Sequence, residues 1–109
     1  MVVNINNIRS FERLDELFAE SYIRPVLLFK HSNSCGLSTD VFEQVSALID
    51  NMHVVVVQQD REISNAVADR LAVRHASPQA FVLWEGRPIY HATHYAIDPV
   101  EIENKLTNK

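Results

Sequence analysis

Two short runs of apolar residues constrain the fold of this chain more than any other feature of its sequence. Residues 26–29 (VLLF) and 54–57 (VVVV) are apolar throughout and do not alternate with polar residues. Continuous runs of this kind are typical of strands that are covered on both faces of a sheet. Between them, residues 35–52 place apolar side chains on one helical face. A strand, a helix and a second strand predict two parallel strands joined by a crossover helix.

Helices and strands also alternate along the rest of the chain. Ser10 and Asp60 are candidate N-caps, each at the start of a helix-period segment. Residues 81–84 and 89–93 predict the strands of a hairpin, with a turn at residues 85–88. The hairpin adds an antiparallel pair to the sheet, so we expect residues 81–84 to run antiparallel to the two central strands.

The last helix has the clearest start signal. Asp98 suits the N-cap, Pro99 the first helical position and Glu101 the third. Ile97 and Ile102 are spaced to form a hydrophobic staple across this start.

The order of these elements predicts an α/β fold with a mixed sheet of four to five strands and helices on both faces. The fifth strand would be a short segment near residues 2–5. A length of 109 residues, 47% of them apolar, suits one domain over residues 1–109.

Charge and composition exclude several classes of function. The net charge is −4, and no cluster of Lys or Arg predicts a nucleic-acid partner. No stretch approaches the roughly 20 apolar residues of a membrane helix, and no leader pattern opens the chain, so we expect no membrane partner. A single cysteine argues against an exported disulfide scaffold and favours the reducing cytoplasm.

The single cysteine, Cys35, lies between the strand at residues 26–29 and the following helix, in the segment KHSNSCGLS. Helix N–H groups and the positive end of the helix dipole favour a thiolate there, and the thiolate is the reactive form. A buried and inert cysteine is the alternative. Ser38 stands where a dithiol enzyme carries its second sulfur. Because Cys35 is the only cysteine of the sequence, no internal disulfide can form. Its hydroxyl could hydrogen-bond a thiolate, although an ordinary helix-start serine would look the same.

Histidines are further candidates for this site, whereas the dipeptide Ser77-Pro78 would by itself indicate only an ordinary trans proline in a turn. His31 could lie near the thiol at the end of its strand, and His75 could approach from the loop before the hairpin. As imidazolium, either would lower the pKa of the thiol. For His53 and His91 we expect a surface or hydrogen-bonded histidine. No metal site is predicted, because His31 and Cys35 form the only local ligand pair.

Several motifs resemble those of the YtxJ-type bacilliredoxins, which are monothiol members of the thioredoxin superfamily. The motifs are FKHS-x-x-C-x-x-S from Phe29, VQQDR from Val57, and V-x-H-x-SPQA from Val73. The similarity extends from about Phe11 to Leu106, and the segment around Ser77-Pro78 is its most specific part.

The resemblance implies a thioredoxin-like fold, with Cys35 at the start of its first large helix and Pro78 as a cis-proline facing the thiol. It implies a thiol-disulfide oxidoreductase that removes bacillithiol, a glucosamine-malate-cysteine thiol, from the cysteines of S-thiolated client proteins. Bacillithiol is then a co-substrate, and no bound cofactor is expected. Cys35 and Ser38 are the expected catalytic residues. The expected substrate-binding residues are Ser34, Gly36, His75, Ser77, Pro78 and His31.

Two positions depart from the family pattern. Gly36 stands where the family commonly has Pro, and Ala76 stands where it commonly has Glu. A non-catalytic interaction module on the same fold is the alternative function. It would tolerate a buried cysteine and use the face around Pro78 only to dock partners.

Overall fold

The computed structural model describes residues 4–34 and 36–107. The strands are β1 (Asn4–Asn7), β2 (Val26–His31), β3 (Asn51–Val56), β4 (Gln79–Trp84) and β5 (Arg87–Thr93). The helices are α1 (Phe11–Glu20), α2 (Gly36–Leu48), α3 (Arg61–Leu71) and α4 (Pro99–Thr107), and a 3-10 turn spans His94–Ala96. No helix within the described ranges is long and apolar enough to cross a membrane.

The strands form one five-stranded mixed sheet in the order β1-β3-β2-β4-β5. β2 pairs with β3 in parallel, and β3 pairs with β1 in parallel. β4 runs antiparallel to β2, and β5 runs antiparallel to β4. The predicted parallel pair and the antiparallel hairpin are therefore confirmed. The apolar strands β2 and β3 lie inside the sheet because each needs cover on both of its faces.

Helices cover both faces of the sheet, as predicted. Alternation along β2 sends Leu28 to the face that packs on α1 and α3, and Phe29 to the face that packs on α2 and α4. The first cluster includes Leu14, Leu17, Ile63, Val67 and Phe81. The second includes Val41, Val45, Met52, Val82 and Ile102. Both clusters meet at β2, which places its carboxyl end between two packed layers.

Most of the predicted helix starts are confirmed. The Ser10 hydroxyl accepts the backbone N–H of Arg13 at 3.1 Å. The Asp98 carboxylate accepts the backbone N–H of Val100 at 3.0 Å, and Pro99 is the first residue of α4.

Of two further predictions about helix ends, one is confirmed in position and one is wrong. Asp60 is the N-cap residue of α3, as predicted, but its side chain makes no cap hydrogen bond and its carboxylate pairs with Arg9 at 3.1 Å. Met52 does not extend α2, which ends at Leu48. It lies in β3, where its Cα pairs with that of Ile5 in β1. Parallel pairing with β1 therefore overrides a helical pattern that continues past the end of the helix.

His53, in β3, differs from the expectation of a surface or hydrogen-bonded histidine. Its side chain is buried, at 9% exposure, and its Nε2 has no hydrogen-bond partner among the described residues. Burial lowers its pKa below the usual 6.5, and the charge of Arg13 acts in the same direction against that of Glu20. The folded protein therefore favours the neutral imidazole.

Stability should fall with acidity partly because of His53. The pKa of His53 is lower in the folded than in the unfolded chain. Its contribution to the free energy of unfolding is therefore present above about pH 6.5 and is lost as the pH falls further. We expect His53→Gln to reduce the loss in free energy of unfolding between pH 7 and pH 5, measured by urea unfolding. The control is His94→Gln, at an exposed histidine. An equal pH dependence in wild type and His53→Gln would contradict this account.

Candidate active site

The segment between β2 and α2 carries the cysteine on which the sequence analysis rests. β2 ends at His31, residues 32–34 connect the two elements, and α2 begins at Gly36. Cys35 itself lies outside the described residues, so its exposure and its contact with Pro78 stay predictions. Its neighbour Gly36 opens a 13-residue helix, whose first N–H groups and dipole favour an anion.

A glutamine from the loop after β3 holds this connecting segment. The Gln58 amide donates hydrogen bonds to the hydroxyls of Ser32 and Ser34, at 2.6 and 2.9 Å. Its carbonyl oxygen accepts the backbone N–H of Asn33 at 3.1 Å. The two loops meet because β2 and β3 are parallel neighbours and both end at the same edge of the sheet. Ser34, a predicted substrate contact, is therefore fixed from outside its own segment.

Ser38 and His31 are brought together on the α2 face of β2. Ser38 is fully buried, and its Oγ accepts the backbone N–H of Ser32 at 3.0 Å. The same Oγ lies 2.9 Å from Nδ1 of His31. The imidazole of His31 also packs on Phe42, with ring centroids 4.8 Å apart. Ser38 therefore ties the start of α2 to the end of β2.

The tautomer of His31 decides whether Ser38 has a proton to offer a thiolate. A serine hydroxyl carries one proton and can accept two hydrogen bonds. With the His31 proton on Nε2, Ser38 donates to Nδ1 and no proton remains. With the proton on Nδ1, His31 donates to Ser38, and the serine proton is free. The role expected of Ser38 thus depends on its histidine neighbour.

A second polar cluster lies on the opposite face of β2. Lys30 is fully buried, and its Nζ lies 3.2 Å from Nδ1 of His75. The Ser64 hydroxyl of α3 lies 3.3 Å from the same nitrogen. Successive strand residues point to opposite faces, so Lys30 and His31 serve different clusters. The structure does not join His31 and His75, the two histidines expected near the thiol, in one network.

The loop before β4 contains the proline motif. The Ser77–Pro78 peptide bond is cis, as the resemblance implies. Gln79 follows it, is fully buried, and donates a hydrogen bond to the carbonyl of Arg74 at 3.0 Å. Its side-chain carbonyl accepts the backbone N–H of Ala76 at 3.3 Å. This amide fixes the loop from within, as Gln58 fixes the segment before the cysteine from outside.

Burial lowers the pKa of each of three histidines near the carboxyl end of β2. For His31 and His91 it is the only cause, and for His75 it is the largest, followed by the charges of Lys30 and Arg61. At neutral pH these residues are therefore mainly neutral. The expectation that His31 or His75 supplies an imidazolium to the thiol is not supported. His91 accepts a hydrogen bond from Gln79 at 2.9 Å, which confirms the expected hydrogen-bonded histidine.

Comparison with known protein families shows to which family this chain belongs. The family model described as monothiol bacilliredoxin BrxC matches residues 6–102, which is most of the chain and includes every predicted site residue. The chain belongs to this family. The family supports a role as a thiol oxidoreductase, and the monothiol class agrees with the single cysteine of the sequence.

Solved structures show the same fold. A solved protein with a thioredoxin fold has a TM-score of 0.82 and 24% identity, covering 93% of this chain and 92% of its own. Thioredoxin from Fasciola hepatica has a TM-score of 0.71 and 16% identity, covering 94% and 96%. Poplar thioredoxin h has a TM-score of 0.71 and 20% identity, covering 95% and 94%. At these identities the likeness shows the thioredoxin fold alone.

The departure from the bacilliredoxin pattern at Gly36 is not imposed by crowding. A Cβ placed there would meet no described atom within 4 Å, and its φ is not in the left-handed region. Glycine at the first position of α2 therefore leaves open space beside the segment that holds Ser34. Neither crowding nor backbone geometry requires glycine at this position.

Sequence reasoning missed three residues of this candidate site. Gln58 and Gln79 each hold a loop at the carboxyl edge of the sheet. Lys30 is charged yet fully buried. A signal was present for Lys30, since it continues an apolar run that predicts a strand covered on both faces. Nothing in the sequence distinguished Gln58 from its neighbour Gln59.

That pair of glutamines allows a matched test of the network. Gln58→Ala removes hydrogen bonds to Ser32, Asn33 and Ser34, and we expect it to lower the free energy of unfolding by about 1–2 kcal/mol. Gln59→Ala, at an exposed neighbouring residue, should change it by less than about 0.5 kcal/mol. Urea unfolding of both variants measures the difference. Equal effects at the two positions would show that Gln58 does not hold the segment.

Proposed function

We propose that this protein is a monothiol thiol-disulfide oxidoreductase that removes bacillithiol, or a similar low-molecular-weight thiol, from mixed disulfides of client proteins through Cys35. The observation that carries the proposal is the match to the monothiol bacilliredoxin family over a span that contains the only cysteine of the chain. The helix that opens at the next residue supports it, because a helix N-terminus stabilises a thiolate.

The first step is a thiol-disulfide exchange without net oxidation. The Cys35 thiolate attacks the small-thiol sulfur of the mixed disulfide, a new S–S bond forms, and the old one breaks. The electron pair leaves with the client sulfur, which takes a proton from solvent. A second small thiolate then attacks the sulfur bound to Cys35, releases the Cys35 thiolate and forms a small-molecule disulfide. The reductant that supplies this second thiol closes the cycle.

The other predicted residues have supporting roles in this proposal. Ser38 contributes a hydrogen bond to the thiolate when His31 holds its proton on Nδ1. Ser34 and Gly36 border the sulfur in the sequence, and Ser77 and Pro78 present backbone to the substrate. His75 contacts the small thiol from the same loop as Pro78. The partners are S-thiolated client proteins and the small thiol itself, in the reducing cytoplasm.

The pH dependence of alkylation tests whether Cys35 is built for exchange. We expect its reaction with iodoacetamide to titrate with an apparent pKa well below the unperturbed value of about 8.5. The same titration of the urea-unfolded chain is the control. An unshifted or raised pKa in the folded protein would favour a non-catalytic interaction module and oppose the enzyme.

Substitution of Cys35 should abolish thiol release, whereas substitution of Ser38 should only slow it. We expect Cys35→Ser to abolish release of the client thiol from a mixed disulfide, because no other sulfur nucleophile of this type exists in the chain. Ser38→Ala should slow release by no more than about a hundredfold, since a hydrogen bond to a charged group is worth roughly 1.5–3 kcal/mol. Release is measured under single-turnover conditions.

Ser46→Ala is the matched control, because Ser46 lies in the same helix and bonds only the carbonyl of Glu43 among the described residues. It should release thiol at the wild-type rate. Release that persists in Cys35→Ser would rule out the mechanism.

Turnover should require an external thiol. After the first exchange, the mixed disulfide on Cys35 has no second cysteine in the same chain to resolve it. With substrate in excess and no reductant, we expect one equivalent of client thiol per protein and then no more. An added thiol should restore turnover at a rate that rises with its thiolate fraction. Sustained release beyond one equivalent without reductant would contradict the monothiol account.

A further inference from the structure

The arginines of this protein divide into those that have a carboxylate partner and those that have none. Four form ion pairs within the described ranges, namely Arg9, Arg13, Arg24 and Arg70. The remaining arginines, Arg61, Arg74 and Arg87, are exposed and pair with no carboxylate of those ranges. Their charges are therefore available to an external partner.

Two of these unpaired arginines lie at the edge of the sheet where β2 ends. Arg61 is the first residue of α3, and it follows the loop whose Gln58 holds residues 32–34. Arg74 lies in the loop before β4, and this loop reaches the same edge because β4 runs antiparallel to β2. Arg87 begins β5 and therefore lies at the opposite end of the sheet, where β2 starts.

The surroundings of His75 show that positive charges meet at this edge. His75 follows Arg74 in the sequence and is exposed, while the fully buried Lys30 lies beneath it, with Nζ 3.2 Å from Nδ1. Besides burial, the charges of Lys30 and Arg61 lower the pKa of His75. No carboxylate of the described chain acts against them in this shift. The electrostatic potential at this part of the surface is therefore positive.

The carboxylates on either side of Arg61 do not cancel this charge. Asp60 precedes it, but its carboxylate pairs with Arg9 at 3.1 Å. Glu62 follows it and is exposed, which leaves one negative charge against those of two arginines and a lysine. Lys30 holds its charge in most molecules at pH 7, because burial lowers its pKa only to about 8.

We propose that Arg61 and Arg74, over the buried Lys30, form a docking surface for acidic segments of client proteins. The inference rests on the proposed function and adds a class of partner: clients whose thiolated cysteine is flanked by Asp or Glu. This basic surface is opposite in sign to the net charge of −4 of the whole chain. Complementary charge of this kind mainly raises the rate of association and selects among partners.

The distances suit residues that lie close to the client cysteine. Arg61 is three positions after Gln58, which contacts the hydroxyl of Ser34, the residue before Cys35. Three residues span at most roughly 11 Å between Cα atoms. An extended client segment advances about 3.3 Å per residue, so its second and third residues from the cysteine lie roughly 7–10 Å away. Carboxylates at these positions come within range of the basic surface.

The test compares three mixed disulfides that differ only in the client peptide. Each peptide has one cysteine joined to 2-mercaptoethanol, a neutral thiol, and its second and third neighbours on both sides are all Glu, all Gln or all Lys. Second-order rates of client-thiol release by the full chain are divided by those of free 2-mercaptoethanol with the same disulfides. This division corrects for differences in intrinsic reactivity.

The net charge and the basic surface predict opposite orders of these rates. A net charge of −4 alone would favour the Lys peptide. The basic surface predicts that release is fastest for Glu and slowest for Lys, with Glu about fivefold faster than Gln at low salt. Salt at about 1 M, where the Debye length is about 3 Å, should remove the preference.

Matched substitutions of the three unpaired arginines locate the preference. Arg61→Gln and Arg74→Gln should each reduce the Glu-over-Gln ratio by about twofold, and the double variant should abolish it. Arg87→Gln makes the same change of charge at the opposite end of the sheet and should keep the ratio. All three side chains are exposed, so none of these changes removes core packing. The ratio is also taken within one variant, which makes it insensitive to partial unfolding.

The outcomes distinguish this inference from the proposed function. Equal normalised rates for the Glu and Gln peptides, or faster release from the Lys peptide, would overturn the docking surface and leave the oxidoreductase standing. A Glu preference that survives in the double variant, or that Arg87→Gln reduces as much as Arg61→Gln, would overturn it as well. Absence of Cys35-dependent release from all three disulfides would overturn the proposed function and, with it, the inference.

Discussion

The burial of β2 on both of its faces is the constraint on which the rest of this structure depends. Two helices pack on each side of the sheet, so the side chains of β2 alternate between two closed layers. Where the strand ends, the same alternation continues with polar residues: Lys30 enters one layer and His31 the other. The site is therefore built as two clusters, one on each face, that meet only at the carboxyl edge of the sheet.

Desolvation then sets the charge of each cluster. Burial lowers the pKa of His31, His75 and His91, so these side chains act as neutral hydrogen-bonding groups at physiological pH. The positive charge at this edge comes from Lys30 and from the start of α2, and neither needs a histidine to be protonated. A thiolate at the predicted position would thus keep its stabilisation across the range in which the histidines are neutral.

The fold was predictable because its signals are local. Continuous apolar runs define β2 and β3, and caps at Ser10 and Asp98 mark helix starts. The departures arise where a distant partner decides. Asp60 is the N-cap residue of α3, but its carboxylate pairs with Arg9 and makes no cap bond, and Met52 fits a helical face until β1 pairs with it. The candidate site follows the same division, since its cysteine motif is readable while the partners of Gln58 and Lys30 depend on tertiary contacts.

Because the sequence has no second cysteine, no internal disulfide can hold the loops of the candidate site. The hydrogen bonds of two glutamines hold them instead. A dithiol site changes its covalent connections within the chain during each cycle, whereas a monothiol site changes only what is bound to one sulfur. Its loops must then be held by bonds that do not take part in the chemistry. Gln58 supplies them to residues 32–34, and Gln79 supplies them to the loop before β4. Neither exchange of the proposed cycle involves an atom of these hydrogen bonds, so the chemistry itself does not require the loops to rearrange.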